Sequence, residues 1–235
     1  DQIKYTTSDE KIINVDNSLF DANIVSNTYE NGVGTIMFDV PVTTIKELAF
    51  KAQSTLTSIT LPNSVVTVGG GVFSGCTALE EVKLSEKMQE LPLYLLHKPY
   101  YDIYESYGFF EGCSALTSIV IPNSVKNIGE NAFKGCANLA SISIPDDITY
   151  IDVNAFEGTP WYNSLPDGEL YFGKVFYKYK GKMLENTSIK IQEGTIGITT
   201  HAFNSCSNLV SVVIPNSVTQ IGGAIFSNCT SLKDV

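Results

Sequence analysis

Arginine is absent. All 15 basic residues are lysine, set against 25 acidic ones, and the chain of 235 residues carries a net charge of -10. Nucleic-acid sites rest on basic surface and on the bidentate guanidinium, so no nucleic-acid partner is expected. The same balance argues against an anionic membrane surface. No run of 18 or more apolar residues occurs, so no membrane insertion is expected. The chain begins in polar sequence at Asp1, which fits a mature chain as well as a cytosolic one, so no signal peptide is expected within it and localisation is not read from this end.

Catalytic signatures are equally scarce. There is no G-x-S-x-G, no P-loop and no H-E-x-x-H. Histidine occurs only twice. His201 falls in a slot that other copies of a repeat fill with Asn131, Asn154 or Ala224, and reads as a surface residue. Its nearness to Cys206 is set by that repeat. His97 has no companion motif, and Asp146-Asp147 reads as a solvated turn. No enzyme activity, cofactor or metal site is expected.

What is present is repetition. LTSIVIPNSVKNIGENAFKGCAN, from Leu116, returns at Leu56, Leu139 and Leu209, and Leu116 to Leu139 is 23 residues. Self-similarity at a period in the low twenties marks a solenoid. In L-x-x-I-x-I-P the isoleucines are two apart, as on a strand, so both point inward and Ser118 and Val120 point out. Proline ends the strand. V-x-x-I-G returns two apolar groups to the core, and A-F-x-G-C is expected to form a single helical or 3-10 turn. Cys76, Cys113, Cys136, Cys206 and Cys229 all lie three residues after a phenylalanine. Five thiols in one slot read as a column of small buried hydrophobes, although stacked copies lie close enough to leave bridging open.

Residues 1–32 fall outside the repeat. IKYTTSDEKIINV alternates around Ser8-Asp9-Glu10 and reads as a β-hairpin that caps the array. Residues 33–235 hold about seven repeats in one elongated body, interrupted near 93–109 and 160–184. Leu79 to Leu116 is 37 residues, one period plus 14; Leu139 to Asn186 is 47, one period plus 24. Within the second interruption, ELYF-GK-VFYKYK reads as a hairpin turning at Gly173. Ser231-Leu232 opens an eighth copy, so the array is expected to continue past Val235 or to meet a partner there.

These repeats resemble the BspA-type leucine-rich repeat family of bacterial surface proteins, whose unit reads close to L-x-S-I-x-I-P-x-S-V-x-x-I-G-x-x-A-F-x-G-C. Ser64, Ser124, Asp147 and Ser217 stand where the common leucine-rich pattern has asparagine, so no asparagine ladder is available. The expected fold is thus an α/β solenoid. It is a right-handed superhelix of 23-residue units with a parallel sheet, short helical turns, an N-terminal hairpin cap and an inserted hairpin. The resemblance implies a secreted or cell-surface bacterial module that recognises or adheres to a host or microbial protein or glycan. A spacer displaying another domain is the alternative. The family assigns no binding residues, and oligomeric state stays open.

Aromatic residues supply the candidates. Nine of the 12 tyrosines lie in or beside the interruptions: Tyr94, Tyr100, Tyr101, Tyr104, Tyr107, Tyr162, Tyr171, Tyr177 and Tyr179, joined by Trp161. Such side chains are favoured on binding surfaces, but they also serve to pack insertions onto a scaffold. Both interruptions adjoin the A-F-x-G-C segment, so they are expected to leave one side and form a single aromatic ridge. The outward strip of the sheet, with Ser58, Thr60, Glu81, Lys83, Ser118 and Val120, is a second candidate surface.

Overall fold

The computed structural model describes residues 1–98 and 103–235, with the side chain of Ile103 left aside. The chain divides into two compact units at the second interruption, where the repeat pattern alone suggests one body. The first comprises residues 1–143 and 154–164, the second residues 144–153 and 165–235.

The first unit begins with β1 (Gln2–Thr7), the 3-10 turn Asn17–Leu19, and the hairpin β2 (Ile24–Glu30) and β3 (Val33–Phe38). Repeated coils follow: β4 (Thr44–Ile45), β5 (Leu56–Thr60), β6 (Thr67–Val68), β7 (Glu81–Lys83) and β8 (Glu90–Leu91). A hairpin of β9 (Tyr94–Lys98) and β10 (Ile103–Tyr107) interrupts them, before β11 (Ser118–Val120), β12 (Asn127–Ile128) and β13 (Ser141–Ser143). At several junctions corresponding strands pair in parallel one period apart. Ser118 faces Ser141, Ser58 faces Glu81, and Thr44 faces Thr67. Ile59, Ile119 and Ile142 are all buried, as the alternation requires.

The A-F-x-G-C segments do not form helix. Except at Phe110, which is followed by Gly112 alone, each coil carries left-handed residues on both sides of its phenylalanine, such as Asn131 (φ 57°) and Gly135 (φ 75°) around Phe133. Left-handed backbone breaks the helical hydrogen-bond series and turns the amides between them along the stack. Phe110 N–H donates to Ala132 C=O (2.7 Å) and Gly112 N–H to Lys134 C=O (2.8 Å). The segment is therefore a turn that bonds to the next coil. Among the described residues the one α-helix is Pro160–Ser164, so the fold is a β-solenoid and the α/β description is corrected.

Two columns fill the turn side of the first unit. Phe50, Phe73, Phe110, Phe133 and Phe156 stack with centroids 5.3–5.8 Å apart and planes within 17°. The thiols of Cys76, Cys113 and Cys136 donate to the carbonyls of Phe50, Phe73 and Phe110, at 3.0–3.1 Å. Each adds a second donor to a carbonyl that already accepts the backbone N–H three residues further on. All five cysteines are free. Burial pushes the Cys76 and Cys136 thiols up to about 12.

The N-terminal segment departs from expectation. Residues 8–10 do turn, but no strand follows them. Instead β1 lies between β3 and β5 and pairs antiparallel with both. The hairpin of this region is β2–β3, joined by Asn31-Gly32 with both residues left-handed (φ 51° and 82°), the conformation two-residue hairpin turns favour. Tyr5 anchors β1: its ring is 1% exposed, and its hydroxyl donates to Asn27 Oδ1 (2.6 Å) and accepts from Ile13 N–H (3.3 Å). A Cβ on Gly34 would lie 2.1 Å from that ring.

The second unit contains β14 (Tyr150–Ile151), a hairpin of β15 (Gly168–Phe172) and β16 (Val175–Lys180), then β17 (Thr187–Lys190), β18 (Gly197–Ile198), β19 (Leu209–Val213) and β20 (Gln220–Ile221). β17 pairs in parallel with β19, and β16, β18 and β20 run in parallel in a four-stranded sheet. Among the described residues no helix is long and apolar enough to cross a membrane.

Candidate functional site

The first interruption builds a two-stranded sheet of its own, with Tyr94 opposite Tyr107 and His97 opposite Tyr104. Its feet rest on glycines. A Cβ on Gly70 would sit 2.2 Å from the Leu93 carbonyl carbon, and one on Gly71 would sit 2.7 Å from Tyr107 Cβ. Gly70 and Gly71, in a run Gly69-Gly70-Gly71 that no other repeat shares, are the docking seat of this hairpin, while Gly69 abuts the Glu47 backbone. That run is a signal in the sequence for where the hairpin lands.

Alternation gives the hairpin two faces. On one, half-buried Tyr94 and Tyr107 stack (6.5 Å), Lys51 Nζ lies 3.6 Å over the Tyr107 ring, and the Tyr107 hydroxyl donates to Glu105 (2.5 Å). Lys98 pairs with Glu105 and holds its carboxyl below the usual carboxylate range. Lys51 ties the hairpin to the coils, and the other contacts brace it from within. The other face is exposed. Leu95 is 57% accessible, Tyr104 is 66% accessible, and the His97 imidazole stacks on Tyr104 at 4.5 Å. Leu95 was not among the residues singled out by aromatic content. Tyr100 and Tyr101 lie outside the described residues.

The second interruption is different. Thr159 Oγ1 accepts Tyr162 N–H (3.1 Å) and caps the helix Pro160–Ser164. Trp161 packs edge-on against Phe156 at 5.0 Å, and burial raises the Tyr162 phenol. The hairpin β15–β16 turns at Gly173 as the sequence suggests. It enters the core of the second unit. Phe176 is fully buried, faces Ile198 across the sheet and stacks on Phe203 at 4.6 Å.

Tyr177, a candidate surface residue, is 5% exposed and packs on Phe172. It belongs to the interior, because β16 is a strand of the coil itself. Tyr171 lies edge-on to Phe176, donates to Glu169 (3.0 Å) and accepts from Gln192 N–H (3.3 Å). Tyr179 is half-buried against the same core. The eight described candidates thus divide. Tyr94, Tyr104, Tyr107, Trp161 and Tyr162 belong to the first unit, and Tyr171, Tyr177 and Tyr179 to the second.

The outward strip of the sheet is as polar as its sequence implies. Ser188 and Ser211 bond across it (2.8 Å), and Val120 and Val213 stand 71% and 54% exposed. His201 is exposed and left-handed (φ 60°), which explains why Asn recurs in that slot. Among the described residues no cluster of three or more His, Cys, Asp or Glu side chains could hold a metal.

The profile of the BspA type leucine rich repeat region matches residues 22–99 and 103–233 in six copies. Among solved structures, the chain is similar to the leucine-rich repeat protein TpLRR of T. pallidum. That match has 24% identity over 83% of this chain and 73% of that one, at a TM-score of 0.49. It is also similar to a leucine rich cell surface protein from Faecalibacterium prausnitzii, with 24% identity over 90% and 67% and a TM-score of 0.38. The pneumococcal vaccine antigen PcpA is 20% identical over 82% of this chain and 42% of that one, with a TM-score of 0.35. No curated sequence matches the chain. Since the repeat profile spans most of its length, the chain belongs to the BspA-type leucine-rich repeat family.

Proposed function

We propose that this chain is a non-enzymatic recognition module, exposed at a bacterial cell surface or secreted, that adheres to a host or microbial protein or glycan. The observation that carries this reading is the outer face of the β9–β10 hairpin. Tyr104, His97 and Leu95 form an exposed aromatic and apolar patch on a hairpin that is seated on the coils by glycine contacts and a cation over a ring and braced internally by an ion pair. Rigid aromatic area of this kind is what recognition surfaces use, because little entropy is lost on contact. Family membership suggests an interaction or surface module, and the neighbour described as a cell surface protein favours that location.

A non-catalytic role fits the chemistry of the thiols. Nucleophilic cysteines need a depressed pKa, and burial moves all five of these upward. Residues 1–32 are proposed to serve as the cap of the array.

The test is a glycan array and a panel of host and bacterial surface proteins, probed with the wild type and with Leu95→Ala/Tyr104→Ala. Binding that falls at least about tenfold in a variant of unchanged fold supports the reading. A bound ligand whose affinity ignores both substitutions overturns the hairpin as the site. The absence of any ligand for the wild type leaves the spacer reading.

A further inference from the structure

In the first unit, one junction between consecutive coils is open on its sheet face. β5 pairs with β7 and β11 pairs with β13, but β7 and β11, which occupy adjacent coils, are not hydrogen-bonded to each other. At closed junctions the strand ends are stitched by backbone bonds. Leu61 N–H donates to Lys83 C=O (2.9 Å) and Ile121 N–H to Ser143 C=O (3.0 Å). Glu80 N–H donates to Thr57 C=O (2.8 Å) and Ala140 N–H to Thr117 C=O (2.9 Å). The corresponding pairs at the open junction are Leu84 with Val120 and Thr117 with Glu80. Among the described residues neither bond forms.

The opening is local. The same two coils are joined beyond it by Ala115 N–H to Thr77 C=O (3.2 Å), and on the far side by Lys126 N–H to Gln89 C=O (2.7 Å) and the β8–β12 pair. Between these stitches lies a slit of about 390 Å³ lined by Glu80, Glu81, Val82, Lys83, Glu86 and Val120, among others. Beside it, Ser124 Oγ is shielded from solvent without a partner. Its counterpart in the second unit, Ser217 Oγ, accepts Gly194 N–H (3.1 Å). Here the matching donor, Lys87 N–H, is taken by Ser85 Oγ (3.2 Å), in a slot that holds Gln192 in the coil of Gly194 and proline in four other repeats.

The fold itself contains an occupied version of such a slit. β3 and β5 also belong to consecutive coils, joined elsewhere by β4–β6, yet β1 lies between them and pairs antiparallel with both. β1 sends Ile3 and Tyr5 inward and leaves Lys4 exposed. At the β7–β11 slit, Glu80, Glu81 and Glu86 outnumber Lys83, so the rim favours cationic side chains. Unpaired strand edges recruit an added strand through main-chain bonds.

We propose that the β7–β11 slit binds an extended, lysine-bearing peptide segment, which enters as an antiparallel strand between the two edges. The strands approach within 8 Å at Cα, whereas a strand between them requires about 9.6 Å, twice the inter-strand spacing of about 4.8 Å. Entry therefore parts the edges, and the flanking stitches limit how far. This surface is separate from the hairpin face, and neither proposal rests on the other.

The probe is a blocked, fluorescently labelled peptide with the sequence of β1, QIKYTT, beside its lysine-to-glutamate analogue. Anisotropy and amide hydrogen exchange are read on the full chain. Binding of the lysine peptide is expected to slow exchange at Leu84 and Thr117. Glu81→Lys/Glu86→Lys, at exposed positions, is expected to weaken it by about tenfold or more, while Tyr104→Ala leaves it unchanged. The analogue is expected not to bind. Absence of binding at millimolar peptide, protection confined to Ile36 and Ile59 at the β1 site, or indifference to the charge reversal overturns the proposal.

Discussion

The two interruptions use similar residues to opposite ends. The first, 14 residues longer than a period, becomes a hairpin with its own two-stranded sheet and an exposed outer face. The second adds 24 residues, one more than the 23-residue period, and supplies strand β16 to the coil sheet and Phe176 to the core. The contrast teaches that added length close to the period can be absorbed as a further coil. Length well short of it has no coil to complete and leaves the stack. Aromatic content alone does not separate the two, since tyrosine serves packing in one and display in the other.

The largest effect is expected inside the absorbed interruption. Phe176→Ala removes a buried ring stacked on Phe203 and is expected to destabilise the second unit by about 3–5 kcal/mol, read by urea denaturation. If the loss is under about 1 kcal/mol, the second interruption is decoration after all. Next comes the seat of the first hairpin. Gly70→Ala forces a methyl group into the Leu93–Tyr94 backbone and is expected to cost about 1–3 kcal/mol. Amide exchange is expected to rise in β9 and β10 while β5 and β11 keep their protection. Smallest of all is Tyr104→Ala, on the exposed face, expected within about 0.5 kcal/mol of wild type. A larger loss would mean that this face is packed rather than displayed.

The thiol column adds a pH dependence common to both units. Cys76 and Cys136 are raised to about 12 and Cys206 to about 11 by burial. A raised pKa in the folded state gives stability that is complete below the ordinary thiol range and is lost as pH climbs through the folded value. Unfolding midpoints are thus expected to fall between about pH 9 and pH 12, and less steeply in a Cys76→Ala/Cys136→Ala variant. An equal slope in that variant would assign the alkaline loss to other groups.

Much of the fold was legible from local pattern. The pairing of Ser118 with Ser141, the inward file of Ile59, Ile119 and Ile142, and the turn at Gly173 all follow from period-two alternation and a fixed repeat. What escaped was set by distant or geometric partners. The alternation of Ile3 and Tyr5 marks a strand, but its partners Gly34 and Ile59 are far along the chain, so a local hairpin was the nearest reading. Asn131 and Gly135 signalled left-handed backbone within N-A-F-K-G-C, which excludes the helical turn. In the candidate site, an aromatic count found Tyr104 but could not tell it from Tyr177, because burial depends on which strands join the coil sheet. The glycine run at 69–71 and the near-period length of 24 carried that information.

The stacking of coils in one parallel register is tested most directly by cross-linking across a single junction. Ser118→Cys/Ser141→Cys places two thiols on directly opposed residues of β11 and β13, within the Cα separation that disulfides accept. Under mild oxidation, peptide mapping is expected to find that bridge in the folded protein and none in Ser118→Cys/Ser143→Cys. A bridge in the second variant but not in the first would contradict the register and the stacked-coil account with it.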